Sequence, residues 1–311
     1  MSKTACFTHP VCIAHNPGYS HPECPERLQV IMDTLIQDRF SDLSWQEAPK
    51  AERSQLERVH SPKYICKLLN SSPSEGRVFL DPDTAICPSS MDAALRAAGG
   101  VCAAIDMVVS KEINNAFCAV RPPGHHAEYD CAMGFCLLNS VAIGAEHART
   151  NYNMVRIAIL DFDVHHGNGT QNFCYTKENL FFASSHQFPA YPGSGKTSET
   201  GINNTNVNIL LKPGSGSAEF RDAWARSILP SVESFNPQLI IISAGFDAHE
   251  HDPLANLNVQ TSDFQWLTTQ ILGVAHRCCE GRLVSSLEGG YDLGALSASV
   301  ANHVEALMTY K

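Results

Sequence analysis

An α/β fold built on a mostly parallel sheet is what this 311-residue sequence predicts. Three observations carry the prediction. Short apolar runs, among them Ile157-Ala158-Ile159-Leu160, have the continuous hydrophobicity of strands buried on both faces. Helical stretches separate most of these runs, as crossovers between parallel strands require. Polar residues gather directly after the runs, where open parallel sheets bind ligands.

In chain order, a first strand spans residues 4–7. The next twenty residues are rich in His, Pro and Cys (His9, His15, His21-Pro22-Glu23-Cys24-Pro25-Glu26-Arg27) and are expected to be loop. A helix begins near Glu26, with Leu28, Ile31, Met32 and Leu35 on one face. Short helices follow at 52–58 and 61–69. A longer helix over 91–109 is marked by Met91, Ala94, Leu95, Ala98, Val101, Cys102, Ile105 and Val109, with Ser90 as N-cap. A strand over 116–120 is stopped by Arg121-Pro122-Pro123-Gly124, and a helix near 137–149 leads to the strand 156–162. Further strands are expected at 180–184, 206–211, 238–244 and 282–287, with helices around 217–235, 261–279 and 292–309. Ser262 with Gln265 offers a capping box to the helix at 261–279, and Gly281 a stop. No linker, repeat or low-complexity tract interrupts the pattern, so one domain over residues 1–311 is expected.

Composition narrows the function classes. Hydrophobic residues at 44% and charged residues at 17% match a soluble chain with a sizeable core. A formal charge of −10 argues against a nucleic-acid-binding surface and weakly favours a basic substrate. The twelve cysteines contain no Cys-x-x-Cys pair, and Cys6, Cys102 and Cys118 lie in apolar runs. They read as reduced thiols of an intracellular, cytoplasmic protein. No signal-peptide core and no membrane-length apolar run is evident.

The chemistry collects at four strand ends. Gly124-His125-His126 follows one strand, Asp161-Phe162-Asp163-Val164-His165-His166-Gly167-Asn168-Gly169 the next. Gly245-Phe246-Asp247 and Glu288-Gly289-Gly290-Tyr291 follow two more. Asp163 and His165, two apart in extended backbone, point to the same side and suit a borderline divalent metal. Asp247 would complete three protein ligands and leave a position for water. His126 could carry a proton, and Tyr291 could stabilise an oxyanion. Asp161 and Asn168 could orient His125 and His126, and His166 reads as second-rank or structural. Singly, each motif has a plainer reading: a turn pair for His125-His126, a helix cap for Asp247, a packed turn for Gly-Gly-Tyr. Four such motifs at four strand ends favour one site.

These motifs, with Met133-Gly134-Phe135-Cys136 and Thr170-Gln171, resemble the zinc-dependent deacetylases of the histone deacetylase and acetylpolyamine amidohydrolase superfamily. The resemblance runs from His21 to Tyr291, and Asn168 with Arg121-Pro122-Pro123-Gly124-His125-His126 looks like the class II branch and its bacterial relatives. It implies the three-layer arginase-like fold, with a sheet of about eight strands. It implies zinc on Asp163, His165 and Asp247, although ferrous iron would also suit this donor set. His126 would be general base then acid, His125 its electrostatic partner held by Asp161, and Tyr291 the carbonyl-polarising hydroxyl. Potassium would sit on Asp161 and the backbone of Asp163 and His165, with Ser184 and Ser185 following the next strand. Phe135 and Tyr191 would wall an acyl-lysine tunnel also lined by Gly134 and Gly289, and Thr84 or Asp83 would grip the substrate backbone.

One position bears on substrate. Polyamine-selective relatives place a glutamate seven residues after the last zinc aspartate; here it is Leu254, with Glu250 and Asp252 nearby. The expectation is removal of acetyl or related acyl groups from lysine side chains of proteins or peptides. The alternative is an acetylpolyamine or other small acetylated amine, and a non-catalytic acyl-lysine binder is disfavoured by His126 and Tyr291. No nucleic-acid or membrane partner is expected, and self-association is left open.

Overall fold

A computed structural model describes residues 3–310. The strands are β1 (Thr4–Thr8), β2 (Ser44–Glu47), β3 (Val78–Phe79), β4 (Ala85–Ile86), β5 (Asn115–Cys118), β6 (Ile157–Asp161), β7 (Leu180–Gln187), β8 (Asn206–Leu211), β9 (Leu239–Ala244) and β10 (Leu283–Leu287). The α-helices are α1 (Pro10–Ala14), α2 (Pro25–Leu35), α3 (Arg53–Leu56), α4 (Pro62–Asn70), α5 (Ser90–Val109), α6 (Ser140–Tyr152), α7 (Asn168–Cys174), α8 (Ser217–Ala223), α9 (Leu229–Phe235), α10 (Thr261–Cys279) and α11 (Leu293–Thr309).

Eight strands form one parallel sheet in the order β2-β1-β5-β10-β9-β6-β7-β8, while β3 and β4 pair separately as an antiparallel ladder. Every residue of β5, β6, β9 and β10 is buried, so both faces of the sheet are covered. These four strands are consecutive neighbours. The four polar motifs recognised in the sequence therefore leave the sheet side by side.

Several local expectations shift for physical reasons. The His-rich stretch after β1 is not all loop: Pro10–Ala14 forms a short helix, whose first turn is capped by His9 Nδ1 accepting from Val11 N–H at 3.0 Å. Ser90 is not the cap of α5 but its first residue; its hydroxyl accepts from Cys87 N–H at 2.8 Å and pairs with His15 Nδ1 at 2.7 Å. Helix α6 starts later than expected because Asn139 caps it, accepting from Ala142 N–H at 3.0 Å. The capping box of α10 belongs to Gln260 and Asp263 rather than Ser262 and Gln265; the Asp263 carboxylate accepts Gln260 N–H at 2.8 Å and pairs with Arg221 at 2.7 Å. Glu280 ends α10 in the left-handed conformation, followed by Gly281 at φ 79°. The expected helix over 217–235 contains a π turn at Trp224–Ile228, just before Pro230, which has no N–H to donate to that turn. Strand β7 runs on to Gln187, so Ser184 and Ser185 lie inside it rather than after it. Among the described residues, no helix is long and apolar enough to cross a membrane. All twelve cysteines are unpaired.

Candidate active site

Beyond β6 the chain turns on its own carboxylates. Asp161 accepts Asp163 N–H at 3.1 Å, and Asp163 accepts His165 N–H at 2.9 Å. From the end of β9, Asp247 accepts Val164 N–H at 3.0 Å. These bonds hold Asp163, His165 and Asp247 buried or nearly so, with one potential ligand atom from each within 4.8 Å of the others. His165 Nδ1 faces both carboxylates, at 3.2 Å from Asp163 and 3.1 Å from Asp247. Burial opposes charge on His165, yet the two carboxylates push its pKa up to about 10. Positive charge is favoured at this point.

Two glycines make the convergence possible. A Cβ on Gly245 would collide with the Asp163 carboxylate, and one on Gly289 with both Asp163 and Asp247. Gly289 N–H also donates to Asp163 at 2.8 Å. Gly289 thus packs on and bonds the acids, and it is not among the residues that line the open cavity of this site.

Behind these acids stand the two histidines from the β5 end. His125 Nδ1 lies 3.0 Å from Asp161, and His126 Nδ1 lies 2.7 Å from Asn168 Oδ1. Burial works against charge on His125, but Asp163 and Asp161 hold its pKa well above the ordinary value. His126 moves the other way: burial, His125 and His165 hold it well below. The Asn168 amide orientation follows from a residue not singled out in the sequence. Glu128, whose carboxylate can only accept, lies 2.5 Å from Asn168 Nδ2. That turns Asn168 Oδ1 to His126, so His126 Nδ1 must donate and Nε2 keeps its lone pair.

The open side is a cavity of 180 Å³ lined by Asp83, His126, Gly134, Phe135, His165, Tyr191, Leu254 and Tyr291. Phe135 meets Tyr291 edge to face at 5.9 Å, and Tyr191 meets His126 at 5.1 Å. Gly134 has φ 55°, and a Cβ there would strike the His126 ring. Asp83 rather than Thr84 faces the cavity, because the buried Thr84 hydroxyl accepts from Phe135 N–H at 3.0 Å. Leu254 stands at the mouth, 39% exposed. Asp252 is committed elsewhere, accepting Tyr291 N–H at 2.6 Å and Leu254 N–H at 3.0 Å.

Further supports lay outside the sequence reading. Arg27 donates to the carbonyls of Gly290 at 2.5 Å and Glu288 at 2.6 Å and stacks 4.7 Å from the Tyr291 ring centre. Glu288 accepts Gly124 N–H at 2.6 Å and His125 N–H at 3.1 Å, fixing the histidine turn. Both sat within recognised motifs; the missing information was their distant partners. His166 is turned away, to Ser194 and Gln171. Of the two serines in the potassium expectation, Ser184 is the cross-strand partner of Asp161. The Ser185 hydroxyl points to the other face, where it accepts from Trp224 Nε1 at 2.9 Å.

Comparison with known proteins identifies the family. The histone deacetylase domain family matches residues 21–307. The chain belongs to the histone deacetylase family. It is 38% identical to a probable deacetylase of Archaeoglobus fulgidus over 94% of this chain and 83% of that one. It is 36% identical to a histone deacetylase-like amidohydrolase of Pseudomonas aeruginosa over 93% and 82%. Identity is also 36% to type-2 histone deacetylase 2 of Dictyostelium discoideum, of whose length this chain covers 21%. The crystal structure of the HDA15 HD domain superposes with a TM-score of 0.93 at 31% identity, covering 99% of this chain and 89% of that one. The fold is thus the arginase-like α/β fold of this hydrolase family, class II-like in its relatives, and membership implies a metal cofactor.

Proposed function

We propose that this protein is a zinc-dependent deacetylase acting on acetylated lysine side chains of proteins or peptides. The observation that carries the reading is the cavity whose aromatic walls, Phe135 and Tyr191, close on His126, His165 and Tyr291. The residues present fit a divalent metal: two buried carboxylates and an imidazole converge, and neither carboxylate is paired with Lys or Arg among the described residues. Asp163, His165 and Asp247 would hold zinc, which when bound supplies Lewis acidity to a carbonyl and lowers the pKa of water. His126 Nε2 takes a proton from the attacking water and returns it to the departing lysine amine. Tyr291, held by Arg27 and Asp252, donates its hydroxyl to the acyl oxygen as negative charge develops there. His125, charged and held by Asp161, keeps His126 neutral and ready to accept. Phe135 and Tyr191 shield the lysine stem from water. Potassium would sit on Asp161 and Ser184 with the carbonyls of Asp163, His165 and Ser185.

Leu254 favours a peptide-borne lysine over a polyamine. The neighbouring Asp252 is bonded to the backbone and does not face the cavity, so it offers no partner for a second ammonium. The deciding experiment compares turnover of an acetyl-lysine peptide and acetylputrescine by one preparation of measured metal content. Preference for the peptide is expected. A strong preference for acetylputrescine would overturn the lysine assignment, and binding without turnover of either would overturn the enzymatic one. Twelve unpaired cysteines support a reducing, cytoplasmic setting.

A further inference from the structure

A second cavity, of 260 Å³, lies behind the proton-handling histidine, walled by Ala127, Glu128 and Gly169, which adjoin His126 and Asn168 in the chain. Two basic side chains reach it from separate loops, Arg58 between α3 and α4 and Lys177 after α7. Among the described residues Arg58 makes no ion pair, and its Nη1 is buried without a hydrogen-bond partner. Lys177 donates to the Phe173 carbonyl at 2.8 Å and lies 3.8 Å from the centre of the Phe173 ring.

The acid in the wall, Glu128, makes no ion pair with either cation and leaves the lining with net positive charge. Glu128 spends its oxygens on Asn168 Nδ2 at 2.5 Å and on Asn172 Nδ2 at 2.8 and 2.9 Å. A buried guanidinium nitrogen without an acceptor is costly, and the planar fork pairs best with carboxylate or phosphate oxygens. Phe173 and Tyr129, the latter 63% exposed, add an aromatic surface beside the two charges.

We propose that this cavity binds a small organic anion, a carboxylate or a phosphate monoester, with its charged end on Arg58 and Lys177 and its body against Phe173 and Tyr129. The site is regulatory. Glu128 forms part of its wall and also sets the Asn168 amide that orients His126, so an occupant reaches the chemistry without entering the substrate cavity. Binding itself is independent of the proposed deacetylase activity; only the effect on turnover rests on that reading.

The test titrates the metal-loaded full chain by calorimetry with inorganic phosphate and, separately, benzoate. At least one probe should bind, and which one separates a phosphate-bearing from a carboxylate-bearing ligand. Arg58→Met and Lys177→Met should each weaken binding roughly tenfold or more, as loss of a charge-assisted bond predicts. At saturation the probe should change kcat on an acetyl-lysine peptide without raising KM. Absence of binding by both probes, or unweakened binding by both variants, would overturn the site. A rise in KM alone would place the probe in the substrate cavity instead, and an unchanged kcat would remove the regulatory role. Lys177 lies on a different loop from Arg58, so its variant keeps the test intact if Arg58→Met does not fold.

Discussion

Two buried clusters of charge support the candidate site, and they are balanced in opposite senses. In one, Glu23 accepts from Arg121 at 2.5 and 2.6 Å and from Arg27 at 3.1 Å, with His15 at 3.2 Å. Burial alone would raise the Glu23 carboxyl, but Arg121, His15 and Arg27 hold it well below the ordinary range. In the other, Asp161, Asp163 and Asp247 face two imidazoles, His125 and His165, with no ion pair to Arg or Lys among the described residues. The first cluster closes on itself and ties the N-terminal loop, Arg121 and the Glu288–Gly290 turn together. The second carries surplus negative charge. Burial is similar in both, so the balance of charge, and not its depth, separates scaffold from ligand site.

Removing an acid should therefore have opposite consequences from removing a base. Asp163→Ala is expected to abolish metal binding and turnover while the protein stays folded, checked by metal content, peptide assay and circular dichroism. Arg121→Met should instead leave Glu23 buried with less compensation and destabilise the fold by about 3–5 kcal/mol, read by denaturant titration. If Arg121→Met cost nothing while Asp163→Ala unfolded the chain, the contrast would be reversed.

Tyr291→Phe probes the seam where the clusters meet, since Arg27 stacks on that ring. Metal content should be unchanged and kcat should fall by about a hundredfold or more, the loss expected for one oxyanion donor. A proportional loss of metal would show that Tyr291 supports the acids and not the substrate.

The smallest effect concerns acid sensitivity away from both clusters. Burial pushes His60 down to about 4 and His303 down to about 3. The unfolded imidazoles take up protons at about pH 6.5, before the folded ones do, so stability should fall as pH drops from about 6.5 towards 4. His303→Gln should flatten that slope by about one proton, measured as denaturation midpoints across the pH range. An unchanged slope would mean that His303 protonates without cost in the folded state.

The alternation of apolar runs and helical faces, and the polar residues closing each run, were legible in the sequence because they depend on spacings of two to four residues. Chemical complementarity, and not spacing, paired Asp161 with His125 and Asn168 with His126 across 36 and 42 residues, and both contacts are present. Other partners far apart in the chain, in pairs with a residue to which no chemical role had been given, were not legible. Glu128 and Asn168 are 40 residues apart, Glu23 and Arg121 are 98, and Arg27 and Gly290 are 263. No periodicity encodes such pairs. Ser90 misled for the same reason: its ordinary local role as a cap is overridden by a distant neighbour, His15. The sequence by itself determined which ligand types stand at which strand ends. Only the tertiary structure, by setting β5, β10, β9 and β6 side by side, decided that those ends meet and which acids are left uncompensated.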